Sequence, residues 1–454
     1  MSNSGEPSLA GSLVRPGDAG WDAARQAWNL GVDQRPAAVA LVEGGEDVAK
    51  VIRYAAANGL RVTAQGTGHG AGPLGSLQDT VLIKTERMRG VTVDAGAATA
   101  RVEAGVLSAE LGDAAQPAGM CSLPGSSPDV GTIGFTLGGG LGWLGRRYGF
   151  ACNHVRAIEL VTAAGEPRTV DAGNDPELFW ALRGGGGEHA IVTALHIGLI
   201  PLAEVYAGTL ILPAEAGAAA IRGYRDWAAG VDENVSSTIR FLRPPPVPDV
   251  PEPLRGRPLL TIGVTCIGDR DRGEATVAPL RDLAEPIMDM IGPIPTAALS
   301  RINMDPEQPT PGIGHHALLA ELPDEAIDAF VGVAGPEAGS SLLLAEMRQL
   351  GGAFAREPED AGALAKLDGA FLLNGIGVPM PPATPEGVGA DLDRLVEAMG
   401  PWHQDGRYFN FAERPCDVDA ILPPETCARL REVKRAWDPD GLIRANHVLA
   451  GASA

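Results

Sequence analysis

The hydrophobic pattern of the N-terminal part begins with short apolar runs around one helical repeat. Residues 37–42 form an apolar run that ends at a glycine pair, which predicts a strand. In residues 46–58 the apolar side chains recur at helical spacing, and Gly59 follows as a stop signal, so we expect a helix. A second strand, 61–64, then runs into a glycine-rich loop. This order predicts an α/β unit with a ligand loop at the carboxyl end of a strand.

The remainder of this first part, up to Pro201, has the pattern of short strands with few helices. Apolar and β-branched runs bounded by turn residues predict the strands, and helical spacing predicts the helices. We expect strands at 80–84, 91–94, 100–103, 155–161 and 191–200, and helices at 106–116 and 176–182.

Between the two halves of this part lies a segment, residues 123–149, that is dominated by glycine. Each glycine in a packed helix or strand costs up to ~1 kcal/mol relative to alanine. We therefore expect a loop whose main chain approaches a large, flat or phosphorylated ligand. The glycines concerned are Gly131, Gly134, Gly138, Gly139, Gly140, Gly142 and Gly145.

Residues 202–404 alternate strands and longer helices and contain proline-rich loops. This pattern of elements predicts a second α+β domain with an antiparallel sheet, which would cover the ligand of the first domain. The predicted strands are 209–212, 236–241, 259–267, 341–348 and 370–378, and the predicted helices are 214–229, 273–284, 324–333 and 385–399. A last helix is expected at 424–437.

Composition narrows the class of protein. The chain of 454 residues is 45% hydrophobic and 20% charged, as a globular protein is. Its formal charge of -21 argues against nucleic acid and anionic membranes as partners, because a phosphate surface needs a basic face. No apolar run reaches the ~18 residues of a membrane helix. Residues 1–15 lack a basic and apolar leader pattern, so we expect a disordered tail and no signal peptide.

Cysteine and histidine spacing argues against a metal site. The five cysteines form no C-x-x-C pair, so neither a disulfide framework nor a zinc site is expected, and a reducing cytoplasm fits. His315 and His316 are the only adjacent histidines, and sequence neighbours rarely ligate one metal. We predict no metal.

The loop after the second strand, Gln65-Gly66-Thr67-Gly68-His69-Gly70, has glycine at alternate positions. Such a backbone can take positive φ angles and turn successive N–H groups towards an anion. A second glycine pattern, residues 140–145, matches G-x-G-x-x-G. Further glycines precede it where a strand is required, and the nearest acid after Gly145 is Glu159, so we do not expect a nicotinamide dinucleotide site.

Several landmarks together resemble the FAD-linked oxidases of the vanillyl-alcohol oxidase (PCMH-type) superfamily, and most closely the berberine-bridge-enzyme-like branch. The loop 65–69 resembles the pyrophosphate loop of that family. Residues 125–140, with Tyr148 and Gly149, resemble the second flavin-binding segment of that family. Residues 182–187 resemble the glycine loop that precedes a strand in the family, and the corresponding strand in this chain is at 191–193. Two C-terminal stretches, Tyr408-x-Asn410-Phe411 and Asp438 to Asn446, resemble the segments with which the chain returns to the FAD domain in that family.

The resemblance implies an α+β fold: a PCMH-type FAD-binding domain of two α+β subdomains at 16–201, a substrate domain with a helix-covered antiparallel sheet at 202–404, and a return to the FAD domain at 405–454. It also implies a covalent bond from His69 to the 8α carbon of the flavin. The implied cofactor-binding residues are Gln65, Gly66, Thr67, Gly68, His69, Gly70, Gly125, Ser126, Ser127, Val130, Gly131, Gly134, Gly138, Gly139, Gly140, Tyr148, Val192, Asn410 and Asn446.

Some positions depart from the pattern of the family. Members with two covalent bonds carry cysteine where this chain has Ser127, so no cysteinyl bond is expected. The loop begins with Gln65 instead of the frequent arginine. Glu188 and His189 replace part of the usual motif after the glycine loop, and we assign them no role.

The cofactor implies oxidation of a small-molecule substrate at a C–H next to a hydroxyl or amine, with O2 reoxidising the flavin to give H2O2. Val130, at the place that controls oxygen access, favours an oxidase. We expect Tyr408 to be the catalytic base, with His315, His316, Glu321 and Glu346 as alternatives. A dehydrogenase, an oxidative cyclase and a flavin-binding protein without turnover remain open, as does the oligomeric state.

Overall fold

Three β-sheets organise the fold in the computed structural model, which describes residues 5–248 and 250–449. The first sheet has four strands, in the spatial order Ser12–Val14, Ala38–Leu41, Thr80–Lys84, Arg61–Gln65. The last three are parallel, and the first is antiparallel to its neighbour. The helix Gly45–Ala57 buries its apolar stripe beneath this sheet, as its helical spacing requires.

The edge strand Ser12–Val14 corrects the prediction of a disordered tail over residues 1–15. It pairs with residues 39–41, and the N–H groups of Ala10 and Gly11 donate to the Asp47 carboxylate at 2.8 and 3.0 Å. Only two apolar residues mark this strand, so the sequence pattern was too short to reveal it. Residues 1–4 lie outside the described part of the chain.

The second sheet is antiparallel and has five strands. It carries the long strand that follows the 184–187 glycine loop at its centre. In spatial order the strands are Val91–Asp94, Thr99–Glu103, Ile191–Gly198, Val155–Val161 and Pro167–Asp171. The helices Ser108–Ala115, Thr132–Leu137, Gly145–Tyr148 and Pro176–Leu182 lie in the same part of the chain, and a short N-terminal helix spans Trp21–Arg25.

The third sheet is antiparallel, has nine strands and is built from residues 204–404. Eight of its strands follow one another in the spatial order Met288–Asp289, Glu204–Pro213, Leu259–Cys266, Val235–Leu242, Leu344–Gln349, Phe371–Gly377, Ile313–Leu319 and His403–Gln404. The ninth strand, Gly292–Pro295, pairs with Glu204–Pro213. The helices of this region are Gly217–Gly230, Arg270–Arg281, Asp324–Ala334 and Pro385–Ala398. They cover one face of the sheet with apolar side chains.

The C-terminal residues return to the first part of the chain. The helix Pro424–Trp437 contacts Pro176–Leu182, and Val62 bridges Ile443 in parallel. Buried Lys434 donates to the carbonyl of Glu188 at 2.6 Å and pairs with Asp438 at 2.6 Å. The apolar core of residues 38–199 therefore also contains side chains of residues 408–449. We keep the predicted domain boundaries at 201 and 405 as a proposal.

The predicted α+β class, with an antiparallel sheet in the region 202–404, is confirmed. Two predictions were incomplete. The strand Ile313–Leu319 was missed because its two histidines interrupt the apolar run. The glycine segment, expected to be a loop, contains the helix Thr132–Leu137. Among residues 5–248 and 250–449, no helix is long and apolar enough to cross a membrane.

Candidate active site

The loop after the strand Arg61–Gln65 is held tightly by its surroundings. Gly68 has φ of 91°, and a Cβ there would lie 2.8 Å from Nε2 of Gln65 and 2.9 Å from Cβ of Ala27. A side chain would therefore both strain the backbone and displace the neighbours. Gln65 is 5% exposed, and neither atom of its amide has a hydrogen-bond partner in the described structure. An unpaired buried amide is what a polar ligand would satisfy.

His69 lies at the tip of this loop among three side chains from separate parts of the sequence. Its Nδ1 is 2.8 Å from the hydroxyl of Thr67. Its ring stacks on Trp28 with the ring centroids 4.0 Å apart, and its Nε2 is 3.6 Å from Oδ1 of Asp129. The Nε1–H of Trp28 donates to the other carboxylate oxygen of Asp129. The imidazole is thus oriented before any ligand binds.

Asp129 and Trp28 are site residues that sequence reasoning missed. Asp129 is the single acid of the glycine segment 123–149, and it stands two positions after Ser127. A single acid in such a segment could have indicated a site residue, because an acid is rarely buried among glycines and apolar residues without a partner. Trp28 lies 41 positions before His69 in a loop with no motif, and only the fold could bring the two together.

Most glycines of the segment 123–149 are explained by protein packing, which corrects the expectation that a ligand requires them all. A Cβ at Gly138 would lie 1.9 Å from Oδ1 of Asn410, and one at Gly139 would lie 2.4 Å from Leu364. The same holds for Gly140, Gly142 and Gly145, whose Cβ positions fall 2.5 Å or less from Ala151, Pro124 and Phe354.

Gly131 and Gly134 are different because no protein atom crowds them. The nearest atoms to a Cβ at Gly131 belong to Thr67 at 3.8 Å, and a Cβ at Gly134 has no neighbour within 4 Å. Thr132, between them, is buried and its hydroxyl lacks a partner among the described residues. Gly131 therefore faces Thr67 of the 65–70 loop with room for a bound group beside it.

The remaining predicted cofactor residues divide into two sets. Asn446 reaches the site, because its Nδ2 donates to the carbonyl of Gly70. Gly125 has Phe135 3.0 Å from its Cβ position, and the carbonyl of Val130 accepts from Ser108 N–H at 2.9 Å. Tyr148 packs with the separate cluster around Trp143, and Val192 lies within the central strand of the second sheet. These two are not brought to His69.

Tyr408 does not have the surroundings of a base. It is fully buried, and its hydroxyl accepts from the N–H of Leu141 at 2.7 Å and from Nδ2 of Asn410 at 3.2 Å. Burial raises the pKa of Tyr408 well above its usual range. A proton acceptor must reach substrate and ionise, so these contacts favour a structural role, and the assignment of Tyr408 as the base stays a prediction. Its hydroxyl instead fixes the turn at 139–141.

Asn410 has a related structural contact. Its Nδ2 also donates to the carbonyl of Phe135 at 2.9 Å, which ties the C-terminal segment to the helix Thr132–Leu137. The half-buried ring of Phe411, three residues after Tyr408, lies 5.4 Å from the guanidinium of Arg348 and 6.4 Å from the His316 ring. Phe411 therefore lies beside Arg348 and His316 of the third sheet.

The uncovered face of the third sheet is polar and turns towards residues 126–143. Directly opposite residues in antiparallel strands point to the same side, which groups Arg240, Thr261, Glu346 and Asn374. The opposite face carries Ile239, Ile262 and Met347 of the helix-covered core. A polar face this well buried is expensive unless its groups are paired or serve a ligand.

Two ion pairs on this face contact the serines before Asp129. Arg348 donates to Oε1 of Glu346 at 2.9 Å and to the hydroxyl of Ser126 at 3.2 Å. Arg240 donates to Asp305 at 3.1 Å, and the Ser127 hydroxyl is 3.5 Å from the other oxygen of that carboxylate. Glu346 and Arg240 are each 2% exposed. The pairs connect the polar face to the segment that bears Asp129.

The other candidate bases can be sorted by their contacts. Nε2 of His316 accepts the N–H of Tyr408 at 3.0 Å, and burial lowers the pKa of His316 to about 3. Nδ1 of His315 accepts the N–H of His316 at 3.0 Å, and burial lowers its pKa to about 4. Glu321 is exposed after the strand Ile313–Leu319. Glu346 alone of these lies on the polar face with a carboxylate oxygen, Oε2, that accepts no hydrogen bond from a described residue.

The residues around His69 fit an FAD. The buried polar atoms without a partner in the described structure include both amide atoms of Gln65, Nε2 of His69, Oδ1 of Asp129 and the Thr132 hydroxyl. They lie on two facing segments, with uncrowded glycines beside them. Donors and open backbone are what a pyrophosphate and a flat ring need.

Comparison with known proteins agrees with this geometry. A family model described as an FAD binding domain matches residues 36–171. The (R)-6-hydroxynicotine oxidase of Paenarthrobacter nicotinovorans is 28% identical, with 97% of this chain and 96% of the relative covered. The glucooligosaccharide oxidase of Sarocladium strictum is 32% identical over 46% of this chain and 43% of its own length.

Solved structures give the same picture. The crystal structure of 6-hydroxy-D-nicotine oxidase from Arthrobacter nicotinovorans has a TM-score of 0.83 at 25% identity, covering 98% of this chain and 99% of that chain. A BBE-like protein of Physcomitrella patens has a TM-score of 0.84 at 18% identity, covering 97% of each chain, and shows the likeness of fold alone. Residues 36–171 therefore match the FAD binding domain family, and over nearly its whole length the chain is similar in sequence and in fold to 6-hydroxynicotine oxidase, with a fold that BBE-like proteins share.

Proposed function

We propose that this enzyme is an oxidase that removes hydride from a C–H next to a hydroxyl of a sugar or secondary metabolite. The observation that carries the proposal is the buried polar face with Glu346 and Arg348, which contacts Ser126 close to the His69 loop. FAD, when bound, accepts the hydride at N5 and delivers two electrons to O2, giving H2O2. The protein supplies orientation, exclusion of water and a proton acceptor.

In this proposal Glu346 takes the proton that leaves the substrate oxygen or nitrogen. Its Oε1 is held by Arg348, which fixes the carboxylate, and Oε2 remains available. The guanidinium of Arg348 lies 5.8 Å from the ring of Trp143 and 5.4 Å from that of Phe411, so the pair is enclosed by aromatic side chains. An enclosed carboxylate beside a cation is a suitable base for a hydroxyl or amine proton.

We further propose that His69 carries the flavin through a single covalent bond. His69 has the loop, the buried unpaired Nε2 and the orienting contacts that such a bond needs. Ser127, whose hydroxyl is directed at Asp305, offers no thiolate for a second bond. Val130, near the same segment, supports O2 as the acceptor. The five free cysteines support a reducing, cytoplasmic location.

The test of the proposed base is Glu346→Gln, with Glu321→Gln as its matched control. Loss of a general base costs about 10²–10⁴ in rate, so kcat for Glu346→Gln should fall by at least about 100-fold with flavin content unchanged. Glu321→Gln should have the kcat of wild type, because Glu321 is exposed and outside the polar face. Equal kcat values for the two variants would remove Glu346 from the mechanism.

A second substrate class has a specific observation in its favour. The hydroxynicotine oxidase matches nearly the whole chain, whereas the glucooligosaccharide oxidase matches under half of it. A carbon next to a ring nitrogen is therefore an alternative site of oxidation. H2O2 release from matched panels of oligosaccharides, alcohols and cyclic amines separates the two classes. Flavin reduction without H2O2 release would instead indicate a dehydrogenase or cyclase, and photoreduction without any turnover a binding protein.

A further inference from the structure

The imidazole of His69 is enclosed by contacts that the oxidation of substrate does not use. The Thr67 hydroxyl is 2.8 Å from Nδ1, and Oδ1 of Asp129 is 3.6 Å from Nε2. The ring of Trp28 stacks on the imidazole with the ring centroids 4.0 Å apart. Three segments of the chain, around residues 28, 67 and 129, supply these groups. A histidine that only made hydrogen bonds in a loop would not need a carboxylate and an indole fixed around it.

The facing atoms of His69 and Asp129 are left unsatisfied in the described structure. Nε2 of His69 and Oδ1 of Asp129 are both buried and neither has a hydrogen-bond partner. These two atoms are 3.6 Å apart, which exceeds the length of a normal hydrogen bond by less than about 1 Å. A buried carboxylate beside an imidazole is costly unless it is used, and a small shift would let it receive the Nε2 proton.

Trp28 fixes Asp129 as well as His69. Its indole N–H donates to Oδ2 of Asp129, which leaves Oδ1 directed at the imidazole. Its backbone N–H donates to the carbonyl of Thr67 at 2.9 Å, so the tryptophan is tied to the loop that bears His69. Thr67, His69, Asp129 and Trp28 therefore form one connected unit, which we call the His69 clamp.

We propose that the His69 clamp is a device for attaching the flavin, in which Asp129 and Trp28 position the imidazole and Asp129 takes its proton. This inference rests on the covalent bond of the proposed function. Asp129 and Trp28 are positioning residues here, because they act on FAD through His69.

The step balances as follows. A bond forms between an imidazole nitrogen of His69 and the 8α carbon, while one C–H bond of that methyl group and the imidazole N–H bond break. Two protons leave: Asp129 receives the one from the imidazole, and water takes the one from the methyl group. The two electrons of the broken C–H bond remain on the flavin until O2, the acceptor of the proposed function, takes them and becomes H2O2.

The experiment compares wild type, Asp129→Asn, Asp129→Glu and Trp28→Phe as purified holoproteins. Intact mass gives the covalently flavinylated fraction, and flavin absorbance before and after acid precipitation gives total and covalent FAD. The time course after addition of FAD gives the rate of attachment. The matched control is Asp328→Asn, which removes an exposed carboxylate on the helix Asp324–Ala334, outside the site.

We expect Asp129→Asn to bind FAD but to attach it at least about tenfold more slowly than wild type. Asp129→Glu should recover part of the rate, which a merely structural role would not explain. Trp28→Phe, which keeps the stack but loses the N–H donor, should lie between Asp129→Asn and wild type. Asp328→Asn should attach flavin as wild type does.

Equal rates of attachment in wild type and Asp129→Asn would overturn the role of Asp129. If Asp129→Asn does not fold, Trp28→Phe decides, and a wild-type rate in that variant overturns the clamp. A wild-type protein that binds FAD and releases H2O2, yet loses all flavin on acid precipitation, would instead refute the covalent bond of the proposed function.

Discussion

Replacing Tyr408 with phenylalanine distinguishes a structural tyrosine from a catalytic one. The variant removes the acceptor of the Leu141 N–H, which lies 2.7 Å from the hydroxyl in a fully buried position. An unsatisfied buried donor costs about 1–3 kcal/mol, so the free energy of unfolding should fall by about that amount. The rate should change little, because the buried hydroxyl does not reach the polar face of the third sheet.

Both quantities can be measured on the same preparation. Urea unfolding followed by fluorescence gives the loss of stability, and H2O2 release gives kcat across a range of pH. We expect kcat within about tenfold of wild type, whereas loss of a general base would lower it by about 10²–10⁴. The shape of the pH profile should be unchanged.

Tyr224→Phe is the matched control for this experiment. Tyr224 is also fully buried, but it lies on the helix-covered side of the third sheet, with its hydroxyl 2.8 Å from that of Ser237. It should lose stability by a similar amount and leave kcat unaltered. A 100-fold or larger loss of kcat in Tyr408→Phe, with Tyr224→Phe unaffected, would refute our structural interpretation of Tyr408.

Three further predictions concern stability. Gly138→Ala should lower the melting temperature in a thermal scan, because the added Cβ would lie 1.9 Å from Oδ1 of Asn410, and an unchanged melting temperature would contradict this packing. Lys434→Met leaves the Asp438 carboxylate buried and unpaired, so urea unfolding should show a loss of about 3–5 kcal/mol, and adding Asp438→Asn should restore part of it. Burial lowers the pKa of His189 to about 4, so the unfolded chain binds more protons between about pH 4 and the unfolded histidine value near 6.5. Stability should therefore fall as the pH is lowered through this window, and His189→Gln should reduce the difference between the urea midpoints at pH 7 and pH 5; an identical difference in the variant would contradict it.

Much of the fold was predictable because local patterns and packing agree. The strands Thr80–Lys84 and Val155–Val161 and the helix Pro424–Trp437 have the bounds that their apolar spacing indicates. The strand Ile313–Leu319 could not be found in the same way. Its histidines interrupt the pattern because His316 faces the polar side of the sheet, where it accepts the N–H of Tyr408.

The loop that bears His69 could be predicted from the sequence, whereas the contacts of the side chains around it could be predicted less well. The alternate glycines around His69 indicated a ligand loop, and the resemblance supplied the ligand. The glycines at 138–145 are required mainly by Asn410, Leu364, Ala151, Pro124 and Phe354, which are distant in sequence or separated by a turn. The contacts of the Tyr408 hydroxyl could not be predicted, because a motif gives the place of a residue along the chain and not the side of the backbone on which its hydroxyl lies.

The intact mass of the purified, denatured protein tests the central claim most directly. Our account predicts the mass of the polypeptide plus one FAD for wild type, and the mass of the polypeptide alone for His69→Ala, which should still bind FAD when native. A wild-type mass equal to the polypeptide alone would contradict the covalent bond at His69. If native wild type also showed no flavin absorbance after incubation with FAD, the assignment of this site to FAD would be contradicted as well.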